Sequence, residues 1–382
     1  MSSLVWIELD AAAAEHNVRQ LRRGLGKHTS LCAVVKANAY GHGVREMAGL
    51  LPSADWLGVN SLEEALELRG FGEQRPILIL GAVPLDGLEE AARAQFRLTV
   101  YTPETVARLR ALPANLPPAR VHLKVETGTG RQGALPHEIA DLVDSIVSSP
   151  RLVLEGLCTH YANIEDTMDH DYAAGQLERF RGVLSFLEGR SIRIPYVHTA
   201  ATAATVLFPK THFTMVRAGI GVYGLWPSRE TYLSALLEKR PVPELLPVLS
   251  WKTRVVQLKT LPEGSSVGYG CTYKTTRQTQ VAVLPVGYAD GYDRALGNAA
   301  HVLVRGKRAG IMGRVCMNMV MADVTDIADV RLEDEVVLLG SSGPETVSAE
   351  LMASWAGTIN YEIVTRISPL LPRRVVRSRP PC

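Results

Sequence analysis

The chain has 382 residues, more than one hydrophobic core usually serves, so two domains are expected. Its 41 lysines and arginines against 39 aspartates and glutamates leave a formal charge of +2, which argues against nucleic acid and anionic membrane surfaces as partners. Hydrophobic content of 46%, no charged-then-apolar leader and no apolar run of transmembrane length give the expectation of a cytoplasmic protein. The five cysteines (Cys32, Cys158, Cys271, Cys316 and Cys382) are scattered, odd in number and without metal-type spacing. Cys32 and Cys158 read as small core residues of a reduced protein, and no metal site is expected. The basic run 373–379 reads as a solvated tail.

In chain order, a short apolar strand at 4–9 precedes a helix capped by Asp10 and carrying Ala14, Val18 and Leu21 on one face. A continuous apolar run at 31–35 reads as a buried parallel strand. It ends on Lys36 and breaks at Gly41 and Gly43, which predict a turn. Alternation then continues: helix 44–51, strand 56–59, and helix 62–69 behind a capping box of Ser61 and Glu64. Strand 76–80, helix 85–94 and strand 98–101 follow, and Thr102-Pro103 opens another helix. Next come strand 121–125, helix 137–147, strand 152–158 and helix 172–187. Strand 194–197, a short helix and strand 213–216 close the series.

Eight strands, counted from the one ending at Lys36, predict a (β/α)8 TIM barrel whose site lies at the carboxyl ends of the strands. Lys36, Arg131, His160, Thr202 and Arg217 fall at or just past those ends. Pro241, Pro243 and Pro247 mark a linker. Beyond it, short Val-rich runs punctuated by glycine predict a mainly antiparallel β-domain with one helix at 349–356. The expected division is a barrel at 11–240 and a C-terminal β-domain at 241–382, joined by the N-terminal strand 1–10.

A lysine where a strand gives way to a loop can be desolvated, which lowers its pKa and frees its amine for Schiff-base chemistry. A lysine snorkelling from a strand end is an equal reading at this point. Pyridoxal phosphate (PLP) on such a lysine needs a phosphate cradle and a partner for its ring nitrogen. Tyr40, Thr202 and the turn Ala218-Gly219-Ile220 are candidates for the cradle, against a plain helix cap and a turn glycine. An arginine, Arg217, at the ring nitrogen would leave that nitrogen unprotonated and the electron sink weak; pairing with a carboxylate is at least as good a reading from the residue alone. The stretch Lys124-Val125-Glu126-Thr127-Gly128-Thr129-Gly130-Arg131 is glycine-rich, and Gly-x-Gly alone says little. His160 alone is more often structural. Tyr269, between Gly268 and Gly270, reads by itself as a surface tyrosine in a turn.

Taken together, AVVKANAYGHG, HLKVETGTGRQG, MVRAGIGVYGL, GYGCTY, LPVGYADGY, MGRVCMN and INYE resemble the alanine racemases in order and spacing over essentially the whole chain. The resemblance implies a PLP-dependent enzyme of fold type III that interconverts L- and D-alanine for peptidoglycan by two-base proton transfer at Cα. It implies Lys36 as cofactor anchor and one base, and Tyr269 of the partner subunit as the other, in a head-to-tail homodimer with shared sites. Arg217 would face the ring nitrogen, and Arg131 the phenolic oxygen and substrate carboxylate. Lys124 would be carbamylated and hold Arg131, and His160 would lie by the ring. Tyr40, Thr202, Gly219, Ile220 and Tyr361 would hold the phosphate. Met317 of the partner subunit would meet the substrate carboxylate through its backbone, and Tyr288 would narrow the entrance. Two departures stand out: Asn318 where aspartate is common, and Ala201-Thr202 where Asn-Ser is frequent. A broad-specificity racemase and a fold-type-III decarboxylase are the alternatives. Arg217 argues against the decarboxylase, and the β-domain with Tyr269 argues against a bare PLP carrier.

Overall fold

A computed structural model describes residues 3–238 and 241–377; Cys382 and the end of the basic run lie outside the described residues. The chain divides into two compact units, one of Glu15–Ala37 with Ala48–Leu245, the other of Met1–Ala14, Asn38–Met47 and Leu246–Cys382.

The first strand, β1 (Val5–Asp10), belongs to the second of these units. The first unit is built on β2 (Ser30–Val34), β3 (Trp56–Val59), β4 (Ile77–Ile79), β5 (Arg97–Val100), β6 (Ala119–Lys124), β7 (Leu152–Cys158), β8 (Tyr196–His198) and β9 (Met215–Ala218). All neighbours are parallel, in the order β8-β7-β6-β5-β4-β3-β2-β9. Thr214 N–H to Val197 O at 3.2 Å and Arg217 N–H to Ala200 O at 2.9 Å link the two ends into a closed barrel. β3 (WLGV) and β4 (ILI) read as unbroken apolar runs because both faces are covered, by side chains inside and helices outside. Trp56, Leu78, Cys32 and Met215 form one buried cluster across four of them.

Several boundaries shift, and two of the shifts matter. His198 ends β8 and Arg217 lies inside β9, so both are held by strand backbone. The helix expected at 85–94 spans only Leu88–Arg93, and Leu85 is left exposed. Ser61 Oγ accepts Glu64 N–H at 3.4 Å, but Glu64 does not complete the capping box. Its carboxylate accepts from Asn60 N–H at 2.7 Å and Ala37 N–H at 2.6 Å instead. A second carboxylate acts alike on the glycine-rich turn, where Glu126 accepts the amides of Gly128, Thr129 and Arg131.

The turn after the first barrel strand is also more ordered than predicted. Lys36–Tyr40 is a helical turn, and Ala37, Asn38, Ala39 and Tyr40 all have φ of 52–53°. Non-glycine residues in this left-handed conformation each cost about 1–2 kcal/mol. The surroundings hold it: Asn38 Oδ1 accepts Val44 N–H at 2.9 Å, and Gly43 N–H reaches Asn38 O at 2.9 Å. Gly41, at φ +80°, passes so close to Val364 that a Cβ would sit 1.8 Å from its carbonyl oxygen.

The second unit carries β10 (Leu249–Arg254), β11 (Gln257–Leu261), β12 (Ser266–Val267), β13 (Tyr273–Lys274), β14 (Thr279–Leu284), β15 (His301–Val304) and β16 (Lys307–Met312). It continues with β17 (Val320–Asp323), β18 (Glu335–Ser342), β19 (Glu345–Val347) and β20 (Arg373–Val376). The main sheet runs β11-β14-β17-β16-β15-β18-β10-β1-β20, with β19 on β18, and is antiparallel except where β1 meets β20. β1 pairs with β10, Ile7 opposite Trp251. Alternation in β10 buries Leu249, Trp251 and Thr253 on one face.

Candidate active site

Lys36 lies two residues past the end of β2 and is partly buried. Burial, and then the Arg131 charge, lower its pKa, while Glu64 works the other way. An amine so placed is easier to hold neutral and nucleophilic. The Ala37 amide bonded to Glu64 anchors the backbone beside it.

Arg217 is buried, 7% exposed. One terminal nitrogen donates to His198 Nδ1 in a short contact and to His198 O at 2.8 Å; the other donates to Thr159 O at 2.8 Å and Thr199 O at 3.0 Å. No carboxylate pairs with it among the described residues, so the rim ion pair does not form. Four of its five N–H donors are spent, and among the described residues Nε–H has no partner.

Thr202 opens the helix Thr202–Leu207 but does not cap it. Its Oγ1 accepts Gly219 N–H at 3.0 Å and Gly221 N–H at 3.4 Å. The hydroxyl therefore shapes the turn after β9 that runs through Gly219 and Ile220. Ala201 sits at the N-cap with no side-chain cap, the local result of alanine at that position.

Lys124 ends β6, and its Nζ donates to Gln132 Oε1 at 3.3 Å. Gln132 in turn donates to the Tyr101 hydroxyl at 3.0 Å. Burial first, then the Arg217 and Arg131 charges, lower the Lys124 pKa. Arg131 itself is exposed and lines a cavity of about 250 Å³ with Thr129, His160, Tyr161 and Ala201. Burial and the charges of Arg217, Arg131, Lys124 and Lys36 push His160 down to about 3, so its ring is neutral.

In the second unit, the Tyr40 and Tyr361 rings lie 6.1 Å apart. Tyr269 is 73% exposed between Gly268 and Gly270, whose φ values are +72° and +75°. At Gly270 a Cβ would lie 2.8 Å from an Arg314 nitrogen. The loops carrying Tyr288 and Met317 are zipped together by Tyr288 N–H to Cys316 O at 3.1 Å and Ala289 N–H to Met317 O at 2.9 Å. Gly287 permits this, since a Cβ there would lie 2.2 Å from Cys316 O. Tyr269, Tyr288, Met317 and Asn318 line one groove of about 1070 Å³ on this unit.

Sequence reasoning missed Glu64, Gln132, His122, His198 and Glu155. His198 lay one residue past the expected strand 194–197, while His122 and Glu155 were visible as polar residues inside the expected barrel strands 121–125 and 152–158. Such residues need internal partners, and that signal could have found them. Among the described residues no group of three or more His, Cys, Asp or Glu could hold a metal, and no helix is long and apolar enough to cross a membrane.

The residues fit PLP: a desolvated lysine, a turn of backbone amides shaped by Thr202, and a buried guanidinium with one N–H to spare. A parallel α/β barrel with such a lysine after its first strand, together with an antiparallel β-rich unit, is the architecture of the fold type III class of PLP enzymes. Residues 9–227 match the model of the alanine racemase N-terminal domain, and 248–375 that of the C-terminal domain. The chain is 43% identical to the alanine racemase of Halothermothrix orenii over 371 residues, 96% of each chain. It is 39% identical to that of Leptospira interrogans over 375 residues, 97% of this chain and 95% of the other. The alanine racemase from Bacillus anthracis with bound L-Ala-P superposes with a TM-score of 0.90 at 36% identity, covering 99% of this chain and 96% of that one. The chain belongs to the alanine racemase family and is an isomerase.

Proposed function

We propose that the protein interconverts L- and D-alanine with PLP held on Lys36, supplying D-alanine for peptidoglycan in the cytoplasm. The observation that carries this is Arg217, a buried guanidinium with no carboxylate partner and one unused N–H among the described residues. Bound there, PLP supplies the electron-withdrawing ring that acidifies the substrate Cα–H. A permanent cation at the ring nitrogen tempers that withdrawal, which favours proton exchange over deeper chemistry such as decarboxylation or transamination.

The chain's own groups do the rest. The PLP-binding barrel is the domain expected at 11–240 and the β-domain the one expected at 241–382 with 1–10, except that Ala11–Ala14 and Asn38–Met47 group with the β-rich unit. Thr202, Gly219 and Ile220 would hold the phosphate, a role the family resemblance gives also to Tyr40 and Tyr361. Arg131 meets the substrate carboxylate together with the backbone of Met317 of the partner subunit. Lys36 serves one face of Cα. Tyr269 of the partner subunit serves the other, relayed through the neutral His160, so one base takes a proton as the other delivers one. Tyr288 narrows the entrance. Carbamylation of Lys124 would turn its repulsion of Arg131 into attraction, with the Gln132 amide free to rotate and donate. A head-to-tail homodimer is supported by the exposure of Tyr269, Tyr288 and Met317 in one groove.

The test is to incubate PLP-loaded protein with L-alanine in deuterated water. D-alanine carrying Cα deuterium is the expected product. Carbon dioxide release, or bound cofactor without exchange, would overturn the reading.

A further inference from the structure

A line of polar side chains crosses the barrel interior from Arg217. Arg217 donates to His198 Nδ1; His198 Nε2 lies 2.7 Å from His122 Nδ1; His122 Nε2 lies 3.5 Å from Glu155 Oε2. Glu155 is held from its far side by Arg97 at 3.1 Å and Arg120 at 3.0 Å. Both imidazoles are fully buried.

The protons along this line follow from one fact. A guanidinium only donates, so His198 Nδ1 must be bare and its proton must sit on Nε2. His198 Nε2–H then donates to His122 Nδ1, which must be bare as well. The His122 proton is left on Nε2, a buried nitrogen that makes no close hydrogen bond among the described residues and lies 3.5 Å from the Glu155 carboxylate. Burial keeps both rings neutral, and the His122 contact and Arg97 hold Glu155 ionised, down to about 2, against its own burial.

The backbone is shaped for this arrangement. Pairing of β6 with β7 slips between Val121↔Leu154 and His122↔Gly156, leaving Glu155 as the extra residue of a bulge. Bulges re-aim a side chain, here a carboxylate toward His122. Gly156 makes room for the ring, since a Cβ there would lie 2.3 Å from His122 Cγ and Nδ1. Tyr196 stacks on the same ring at 9°.

We infer that Glu155 is a positioning residue for the reaction: through His122 and His198 it keeps Arg217 facing acceptors only, leaving its Nε–H for the ring nitrogen of the bound cofactor. This rests on the role given to Arg217 above. A neutral amide at 155 could donate instead of accept. It would then turn both imidazoles over and set His198 Nδ1–H against the guanidinium.

The test is 15N NMR of histidine-labelled holoenzyme, wild type and Glu155→Gln, with PLP dissociation and steady-state kinetics alongside. Wild type is expected to show both His122 and His198 as neutral Nε2–H forms. Glu155→Gln is expected to mix the two forms at His198, weaken PLP binding and lower kcat about tenfold with little change in KM for alanine. An Nδ1–H or charged form of either ring in wild type overturns the inference, even if the variant fails to fold. So does a folded variant with unchanged ring protonation and turnover. Wild-type protein that binds no PLP would overturn the role of Arg217 with the ring protonation unaltered, so the two failures are distinguishable.

Discussion

At the scale of single residues, the two proposed bases have opposite settings. Lys36 is desolvated on the barrel, while Tyr269 is held out on a loop by two left-handed glycines. Tyr269→Phe removes only the hydroxyl. It is expected to lower racemisation in both directions by about 10³-fold, within the range for loss of a general acid–base group, while the visible spectrum shows PLP still bound. Normal turnover would end the two-base assignment. Asn318 is exposed in the same groove and leaves no carboxylate there. The sequence marked all of these positions, but it could not show that Glu64 is spent on the Ala37 amide.

At the scale of elements, the turn after β9 shows how one hydroxyl organises a proposed phosphate cradle. Thr202 Oγ1 satisfies two buried amides, and a Cβ on Gly221 would lie 2.6 Å from Thr202 Cγ2. Thr202→Val keeps the shape and loses the acceptor. Each amide left unpaired costs about 1–3 kcal/mol. A lower thermal midpoint and weaker PLP binding are expected, with Thr202→Ser restoring both. If Thr202→Val bound PLP as wild type does, the turn would not depend on that hydroxyl. The left-handed turn after Lys36 is the other element built against local preference. Strain of this kind persists where the surroundings over-determine it, as the approach of Gly41 to Val364 does here.

For the whole molecule, two expectations follow. Burial holds His42 down to about 4 and His160 down to about 3, against an ordinary value of 6.5. Between those values and 6.5 the unfolded chain binds more protons than the folded one. Their contribution to stability is therefore complete above pH 6.5 and is lost as pH falls. Glu155 adds a loss only below about 4.5, its unfolded value, in the same direction. The thermal midpoint should fall steadily from pH 7 to pH 4.5; a flat profile would mean these histidines accept protons in the fold. The second expectation concerns assembly. Mixed and refolded Lys36→Ala and Tyr269→Phe subunits, each inactive alone, should regain up to about a quarter of wild-type activity if each site takes one residue from each subunit. No recovery would place both bases in one chain.

How much of this was legible without coordinates depends on the range of the forces involved. Apolar runs alternating with amphipathic stretches are local signals, and they determined the barrel, its strand count and the antiparallel β-rich unit. Motif order determined the family, and strand ends located Lys36 and Thr202. Three things rested on tertiary structure. The bulge that makes Glu155 the extra residue beside His122 exists only as a register between β6 and β7. Closure of β8 onto β9 sets His198 against Arg217. The left-handed turn after Lys36 is disfavoured by its own residues and persists through contacts made elsewhere in the chain. In each case a polar or strained group is stable only because residues distant in sequence supply its partner.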